Sequence, residues 1–108
     1  MLPYILIDDL FVKRYLTIMI RTFRSKPLRQ FFETGKPDKL AVQNTARISR
    51  ILRALEVATK PEDMNLPGYF FHGLEGEQRW SIRITANWRI TFGWDGADVI
   101  DVDLEDYH

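Results

Sequence analysis

Residues 79–108 read RWSIRITANWRITFGWDGADVIDVDLEDYH, and this stretch decides the fold. Its apolar residues alternate with polar ones in three runs: Trp80, Ile82 and Ile84; Trp88, Ile90, Phe92 and Trp94; Ile100, Val102 and Leu104. Such alternation is typical of strands that bury one face, and Asp95-Gly96 between the last two runs indicates a tight hairpin. The stretch therefore predicts a three-stranded antiparallel meander with one apolar face.

Helices are predicted upstream of the meander. In SKPLRQFFETG, residues 25–35, Ser25 is a suitable N-cap and Gly35 a suitable end. In PDKLAVQNTARISRILRALEVATKP, residues 37–61, Asp38 is the expected cap and Pro61 the stop. A buried stripe is indicated there by residues at positions i, i+3, i+4 and i+7, namely Ile48, Ile51, Leu52 and Leu55.

The remaining segments complete the expected order of elements. Residues 19–23, MIRTF, are predicted as a first strand. Residues 62–78 are predicted as a loop that contains a short extended piece at 69–72. The fold class is therefore α+β, in the order strand, helix, helix and three-stranded meander. We expect a twisted antiparallel sheet with both helices packed on one face.

Composition excludes several classes of protein. The chain has 108 residues and 45% hydrophobic content, which suits one compact globular domain. It has no cysteine, so disulfides and thiolate metal sites are excluded. Its apolar stretches are too short for a transmembrane helix, and its first residues do not resemble a signal peptide. We interpret the protein as cytoplasmic, without a membrane partner.

The formal net charge is zero, but the charges are distributed unevenly. Residues 19–60 contain ten Lys and Arg residues against three Asp and Glu, whereas no Lys or Arg follows Gly93. A basic half favours a polyanion such as nucleic acid, and a solvated helical face is the ordinary alternative. Arg47, Arg50 and Arg53 share one helical face and are candidate RNA contacts.

The alternation of apolar and polar residues also predicts which side chains lie on the open face of the sheet, the face away from the helices. If Trp88, Ile90 and Phe92 face the helices, Arg89 and Arg83 face away from them. The end of the chain can bring Tyr107 and His108 towards the same face or its rim.

Three segments of the chain resemble a known family. PEDMNLPGYFFHGLEG (61–76), WSIRITANWRITFGW (80–94) and DVDLEDYH (101–108) are similar to the HigB branch of the RelE/ParE toxin superfamily. The resemblance spans residues 19–108 and implies a RelE-like microbial RNase fold with RNA in the concave face of the sheet. It also implies a toxin of a type II toxin–antitoxin system that enters the ribosomal A site and cuts messenger RNA there. The implied partners are a HigA-like helix-turn-helix antitoxin, the ribosome and its message.

The chemistry implied by the resemblance is endoribonucleolytic and uses no metal or other cofactor. The ribose 2′-hydroxyl attacks the adjacent phosphate and leaves a 2′,3′-cyclic phosphate and a 5′-hydroxyl. This reaction needs a base, an acid and a cation that balances charge on the phosphorane. Carried over by position, the resemblance assigns these roles to His72, Arg89, Tyr107 and His108, with Asp106 beside them.

One departure from the family pattern concerns the expected lysine three residues after His72. This chain has Glu75 there, and Gly73 in place of the usual proline. Either Glu75 has taken a catalytic role, or Arg79 or Arg83 supplies the missing cation, or the activity is weak.

Less specific interpretations exist for each candidate. His72 also suits a partly buried loop, Arg89 a cross-strand partner of Asp101 or Asp103, and the last two residues a frayed terminus. Two other functions share the fold: a ParE-like toxin that inhibits DNA gyrase, and a non-catalytic module that only binds its antitoxin. Proton-transfer groups at the terminus argue against both.

The resemblance begins at Met19, so we expect residues 1–18 to be an extension that fold and toxicity do not require. The toxin domain would then be residues 19–108. A shortened chain that starts at Met19 should fold and arrest growth as the full chain does, and a non-toxic shortened chain would refute this expectation.

Overall fold

A computed structural model describes residues 20–107 of the chain. The expected extension at 1–18, Met19 and His108 lie outside the described residues. The described elements run in the order α1 (Lys26–Thr34), α2 (Thr45–Val57), a 3-10 turn (Pro61–Met64), β1 (His72–Gly73), β2 (Arg79–Arg83), β3 (Trp88–Asp95) and β4 (Asp98–Asp106). The four strands form one antiparallel sheet in the order β1-β2-β3-β4. This confirms the predicted α+β class.

Helix α1 begins and ends at the capping residues that the sequence predicts. The Ser25 hydroxyl accepts a hydrogen bond from the Leu28 amide at 3.1 Å and so caps the first turn. Gly35 has a φ of 75°, a left-handed conformation that glycine adopts without strain, and its amide donates to Phe31. Leu28 is fully buried and fixes the helix to the core.

Helix α2 has the predicted buried stripe but a different start. Ile48, Ile51, Leu52 and Leu55 are each at most 2% exposed. The predicted cap at Asp38 is wrong, because the helix begins at Thr45 with Asn44 in the capping position. Leu40 and Val42 both pack against the core. Side chains two residues apart point to different sides of a helix, so this packing requires a non-helical segment.

The hydrophobic core lies between the two helices and one face of the sheet. Its sheet side consists of Ile82, Ile84, Ile90, Phe92, Val99 and Val102, all at most 5% exposed. The three tryptophans are partly buried and pack at its margin. The Trp80 ring stacks near Phe92 at 6.4 Å between centroids, and the Trp94 ring meets Phe92 edge-on at 6.1 Å. Among the described residues, no helix has the length and apolar character to cross a membrane.

Strand β4 contains a bulge that sequence alternation did not predict. Thr91 lies opposite Asp103 and Gly93 opposite Ile100, so β4 carries one extra residue between these pairs. Asp101 in the bulge has a φ of 52°, a conformation that Asp tolerates better than most residues. The buried residues of β4 are therefore Val99 and Val102, and the prediction that Ile100 shares a face with Val102 is wrong.

The bulge also explains why residues 20–23 do not form the predicted antiparallel strand. Ile20 and Phe23 make isolated parallel bridges to Val99 and Val102. Asp101 lies between these two partners and donates its amide to the Thr22 hydroxyl at 2.8 Å. This interruption prevents a continuous ladder along the edge of β4.

Arg47 connects helix α2 to the loop before β1. Its Nε and Nη2 donate to the Arg83 carbonyl at 3.0 and 2.8 Å, and Nη2 also donates to the Gly68 carbonyl. Its guanidinium lies 5.4 Å from the centre of the Tyr69 ring. The half-buried Arg47 is therefore occupied by the protein itself, whereas Arg50 and Arg53 on the same helix are exposed.

These contacts predict that Arg47 stabilises the fold. Arg47→Met keeps much of the side-chain volume but removes the donors, and should lower the free energy of unfolding by about 1–2 kcal/mol. Arg50→Met is the matched control on the exposed face and should change it by less than about 0.5 kcal/mol. Urea denaturation of both variants measures the difference, and equal stabilities would show that Arg47 has no structural role.

Candidate active site

Strand register determines which side chains share the open face. Residues directly opposite each other in antiparallel strands point to the same side of the sheet. Arg83 lies opposite Arg89, which in turn lies opposite Glu105. The neighbouring row consists of His72, Ser81, Thr91 and Asp103. The face away from the helices thus carries a histidine beside two opposed arginines.

An open cleft of about 520 Å³ lies on this face. Its lining residues are Phe70, Phe71, His72, Ser81, Arg83, Arg89 and Tyr107. The cleft therefore brings together His72, Arg83, Arg89 and Tyr107, which the sequence had singled out separately.

Arg89 is held at one end of the cleft by the turn between β2 and β3. Its Nη1 donates to the carbonyls of Thr85, Ala86 and Trp88 at 2.8, 3.1 and 3.2 Å. Its guanidinium carbon lies 5.3 Å from the centre of the Tyr107 ring, a cation–π contact. The Tyr107 amide donates to the Asn87 carbonyl of the same turn. Arg89 and Tyr107 are consequently fixed relative to each other.

Arg83 occupies the other end of the cleft. Its guanidinium carbon lies 4.3 Å from the centre of the Phe70 ring. Within residues 20–107 its Nε is buried and has no hydrogen-bond partner. An unsatisfied buried donor on a cation destabilises the protein, and so does a like charge directly across the strand pair. Arg83, which faces Arg89, therefore carries both of these energetic penalties.

Tyr107 remains a neutral phenol at neutral pH. Burial raises its pKa above the ordinary value of 10.0, and the nearby Glu105 carboxylate raises it further, while Arg89 acts in the opposite direction. A neutral phenol donates a hydrogen bond and presents an aromatic face. Tyr107 is therefore suited to donating a proton or stacking on a base, and unsuited to accepting a proton.

Arg79, although a candidate cation, lies outside the cleft lining. It is 7% exposed, and its Nη2 donates to the Thr91 hydroxyl and to the Asp101 carbonyl, each at 2.9 Å. Thr91 in turn donates to the Glu105 carboxylate. Gly93 lies opposite Arg79 and Ile100, and a Cβ there would approach the Ile100 side chain at 3.3 Å and Arg79 Nη1 at an ordinary 3.6 Å. This network stabilises the bulged part of the sheet.

Other predicted residues also lie apart from the cleft. Glu75 is exposed in the turn between β1 and β2, beyond His72. Asp106 pairs with Trp88, so its side chain is directed to the helix side of the sheet. Arg53 borders a separate recess of about 320 Å³ between the helices.

Phe70, Ser81 and Glu105 share this face but were not singled out from the sequence. Strand register places Ser81 and Glu105 on this face, whereas Phe70 precedes β1 and lines the cleft from the loop. Arg89 faces Glu105 rather than the carboxylates of Asp101 or Asp103 that sequence alternation suggested. Between residues 20 and 107, no group of three or more His, Cys, Asp and Glu side chains is placed to hold a metal ion.

The fold and this cationic, aromatic face belong to the RelE-like class of small toxins. Residues 21–108 match the HigB-like toxin family, described as the RelE-like toxin of the type II toxin–antitoxin system HigB, and the chain belongs to this family. It is 38% identical over 92 residues to "Endoribonuclease HigB" of Proteus vulgaris, an alignment that covers 83% of this chain and 100% of that protein. The predicted family is thereby confirmed, and membership of a type II system implies an antitoxin partner.

The raised pKa of Tyr107 predicts a loss of stability at alkaline pH. The folded state favours the neutral phenol, so this contribution is fully present below pH 10.0 and is lost as pH rises through the higher folded pKa. Above pH 10.0, the free energy of unfolding should therefore fall more steeply for the wild type than for Tyr107→Phe. Urea denaturation across an alkaline pH series compares the two, and parallel curves would contradict the raised pKa.

Proposed function

We propose that this toxin is an endoribonuclease that cuts messenger RNA on the ribosome, with the scissile phosphate bound between Arg83 and Arg89. The observation that carries the proposal is that Arg83 and Arg89 pair directly across β2 and β3 and both line a cleft that also contains His72 and Tyr107. An arginine fork binds two phosphate oxygens and remains charged at any physiological pH. A bound phosphate would offset the repulsion between the arginines. The name of the Proteus vulgaris relative supports the same activity.

The reaction proposed for this cleft is an internal transesterification. The 2′-oxygen loses its proton to a base and forms a bond to phosphorus. The bond from phosphorus to the 5′-oxygen breaks, and that oxygen receives a proton from an acid. The products are a 2′,3′-cyclic phosphate and a 5′-hydroxyl. Arg83 and Arg89 balance the extra negative charge on the phosphorane, so this route needs only side chains of the protein.

The described side chains differ in their suitability as the acid and the base of this reaction. Tyr107 is neutral and can donate a proton or stack on a base, which leaves base catalysis to a histidine. His72 is exposed at the edge of the cleft and is our first candidate. His108 follows Tyr107 in the sequence and is the second candidate. Glu75 lies in the exposed turn, so we assign the missing cation to Arg83 rather than a base to Glu75.

Dependence on the ribosome is consistent with the openness of the cleft. The cleft is open to solvent, so it does not enclose a flexible RNA strand. We propose that the ribosome in the cytoplasm presents the message in an extended form, and that the exposed Arg50 and Arg53 face ribosomal RNA. Reversing the charge of both should weaken ribosome binding and reduce its salt dependence, because fewer counterions would be released.

The antitoxin is proposed to be a helix-turn-helix protein that forms a tight complex with the toxin. Family membership supports the pairing, and the helix-turn-helix type follows from the HigB resemblance. Copurification of the toxin with the product of a neighbouring gene would test this proposal.

Purified toxin should therefore cut message on translating ribosomes, as shown by mapping the new 5′ ends and by detecting cyclic phosphate. Arg89→Ala removes transition-state charge stabilisation and should slow single-turnover cleavage roughly 10²–10³-fold. Its circular dichroism spectrum and antitoxin binding should remain unchanged.

Arg24→Ala is the matched control, because Arg24 is exposed at the opposite edge of the sheet and pairs with Asp101 at 3.7 Å. It should cleave at the wild-type rate. Equal cleavage by Arg89→Ala, or wild-type toxin that leaves ribosome-bound message intact, would overturn the proposal.

A further inference from the structure

Phe70 combines two features that an ordinary surface residue does not have. Its side chain is 62% exposed, so it contributes little to the core. Its φ is 51°, a left-handed conformation that bulky side chains rarely adopt. Such backbone conformations cluster at ligand-binding and active sites, where the surrounding structure holds them in place.

The chain is held before Phe70 by contacts to Gly68 and Tyr69, and after it by the pairing of His72 with Ser81. Arg47 Nη2 donates to the carbonyl of Gly68. The Arg83 amide donates to the carbonyl of Tyr69 at 2.9 Å. The fold therefore imposes the unfavourable φ, yet the aromatic ring it carries remains in solvent. Core packing alone does not explain why a phenylalanine occupies this position.

The position of the ring relative to the arginines indicates a role. Phe70 contacts Arg83 at 4.3 Å, Arg83 lies opposite Arg89, and Arg89 contacts Tyr107 at 5.3 Å. The row is thus aromatic, cation, cation, aromatic. A phosphate bound between the cations joins two nucleosides, and their bases extend to either side of it. The two rings flank the arginine pair, Phe70 beside Arg83 and Tyr107 beside Arg89.

We propose that Phe70 is a base-stacking residue of the RNA site. The Arg83 guanidinium covers part of the ring, and the exposed part receives the base of one nucleotide next to the cleaved bond. Stacking on a phenylalanine ring tolerates every base, because each base has a π face. The inference rests on the proposed function, since it takes the scissile phosphate to lie between Arg83 and Arg89.

The inference predicts that an aromatic ring, rather than apolar volume, is required at residue 70. Phe70→Leu keeps an apolar side chain without the ring and should weaken RNA binding and slow cleavage roughly 5–150-fold, the usual effect of losing one stacked base. Phe70→Tyr keeps the ring and should retain most of the wild-type behaviour. Phe70→Gly accommodates the positive φ, so its folded stability should be preserved while its RNA binding falls as in Phe70→Leu.

Stacking can be measured without cleavage. The full-length protein is added to ribosomes programmed with a message whose A-site nucleotides carry 2′-O-methyl groups, which remove the nucleophile. One base at a time is replaced by 2-aminopurine, whose fluorescence falls when it stacks. Wild type and Phe70→Tyr should quench one position more strongly than Phe70→Leu and Phe70→Gly do. Cleavage of the unmodified message should follow the same order.

The outcomes separate this inference from the proposed function. If wild type leaves message intact but quenching still depends on the ring, the proposed function fails and stacking is supported. If wild type cleaves while all four proteins quench and cleave equally, stacking is overturned and the proposed function survives. Loss of antitoxin binding in Phe70→Leu with unchanged quenching would also overturn stacking, and would assign Phe70 to a protein interface.

Discussion

The opposition of Arg83 and Arg89 across β2 and β3 is the constraint on which the site depends. The same register places Ile82 opposite Ile90 and Trp80 opposite Phe92, on the core side. A slip of one residue would turn the apolar residues to solvent and the arginines into the core. Burial of the apolar face therefore places both arginines on the other face, in directly paired positions. Their repulsion costs a few tenths to about 1 kcal/mol, and a bound anion removes this cost.

The bulge at Asp101 brings Tyr107 to the same face. Without the extra residue, Thr91 would lie opposite Val102, and Glu105 and Tyr107 would be directed towards the helices. With it, Val99 and Val102 are both fully buried and Tyr107 reaches Arg89. The backbone carbonyl of Asp101 also accepts the hydrogen bond that keeps Arg79 inside the sheet. One irregular residue thus determines which arginine and which aromatic ring face the cleft.

Local signals in the sequence predicted the features that depend on neighbouring residues. Ser25 and Gly35 bound α1 by short-range hydrogen bonds, and the stripe from Ile48 to Leu55 follows helical periodicity. Asp38 failed as a cap because Leu40 and Val42 pack against distant residues. Apolar and polar residues continue to alternate in the sequence through the bulge. The sequence therefore does not show that the residues of β4 change faces there. Exposure and a positive φ at Phe70 arise from tertiary contacts and leave no pattern in the sequence.

Arg83 and Arg89 are proposed to form one anion site, and a double-mutant cycle on message cleavage tests this most directly. Single-turnover rates are measured for wild type, Arg83→Gln, Arg89→Gln and the double variant on programmed ribosomes. Each single change should cost roughly 10²–10³-fold. The double change should cost much less than the product of the two losses, because both side chains stabilise the same phosphate. A wild-type rate for Arg83→Gln, or losses that multiply fully, would show that the two arginines do not act as one anion site.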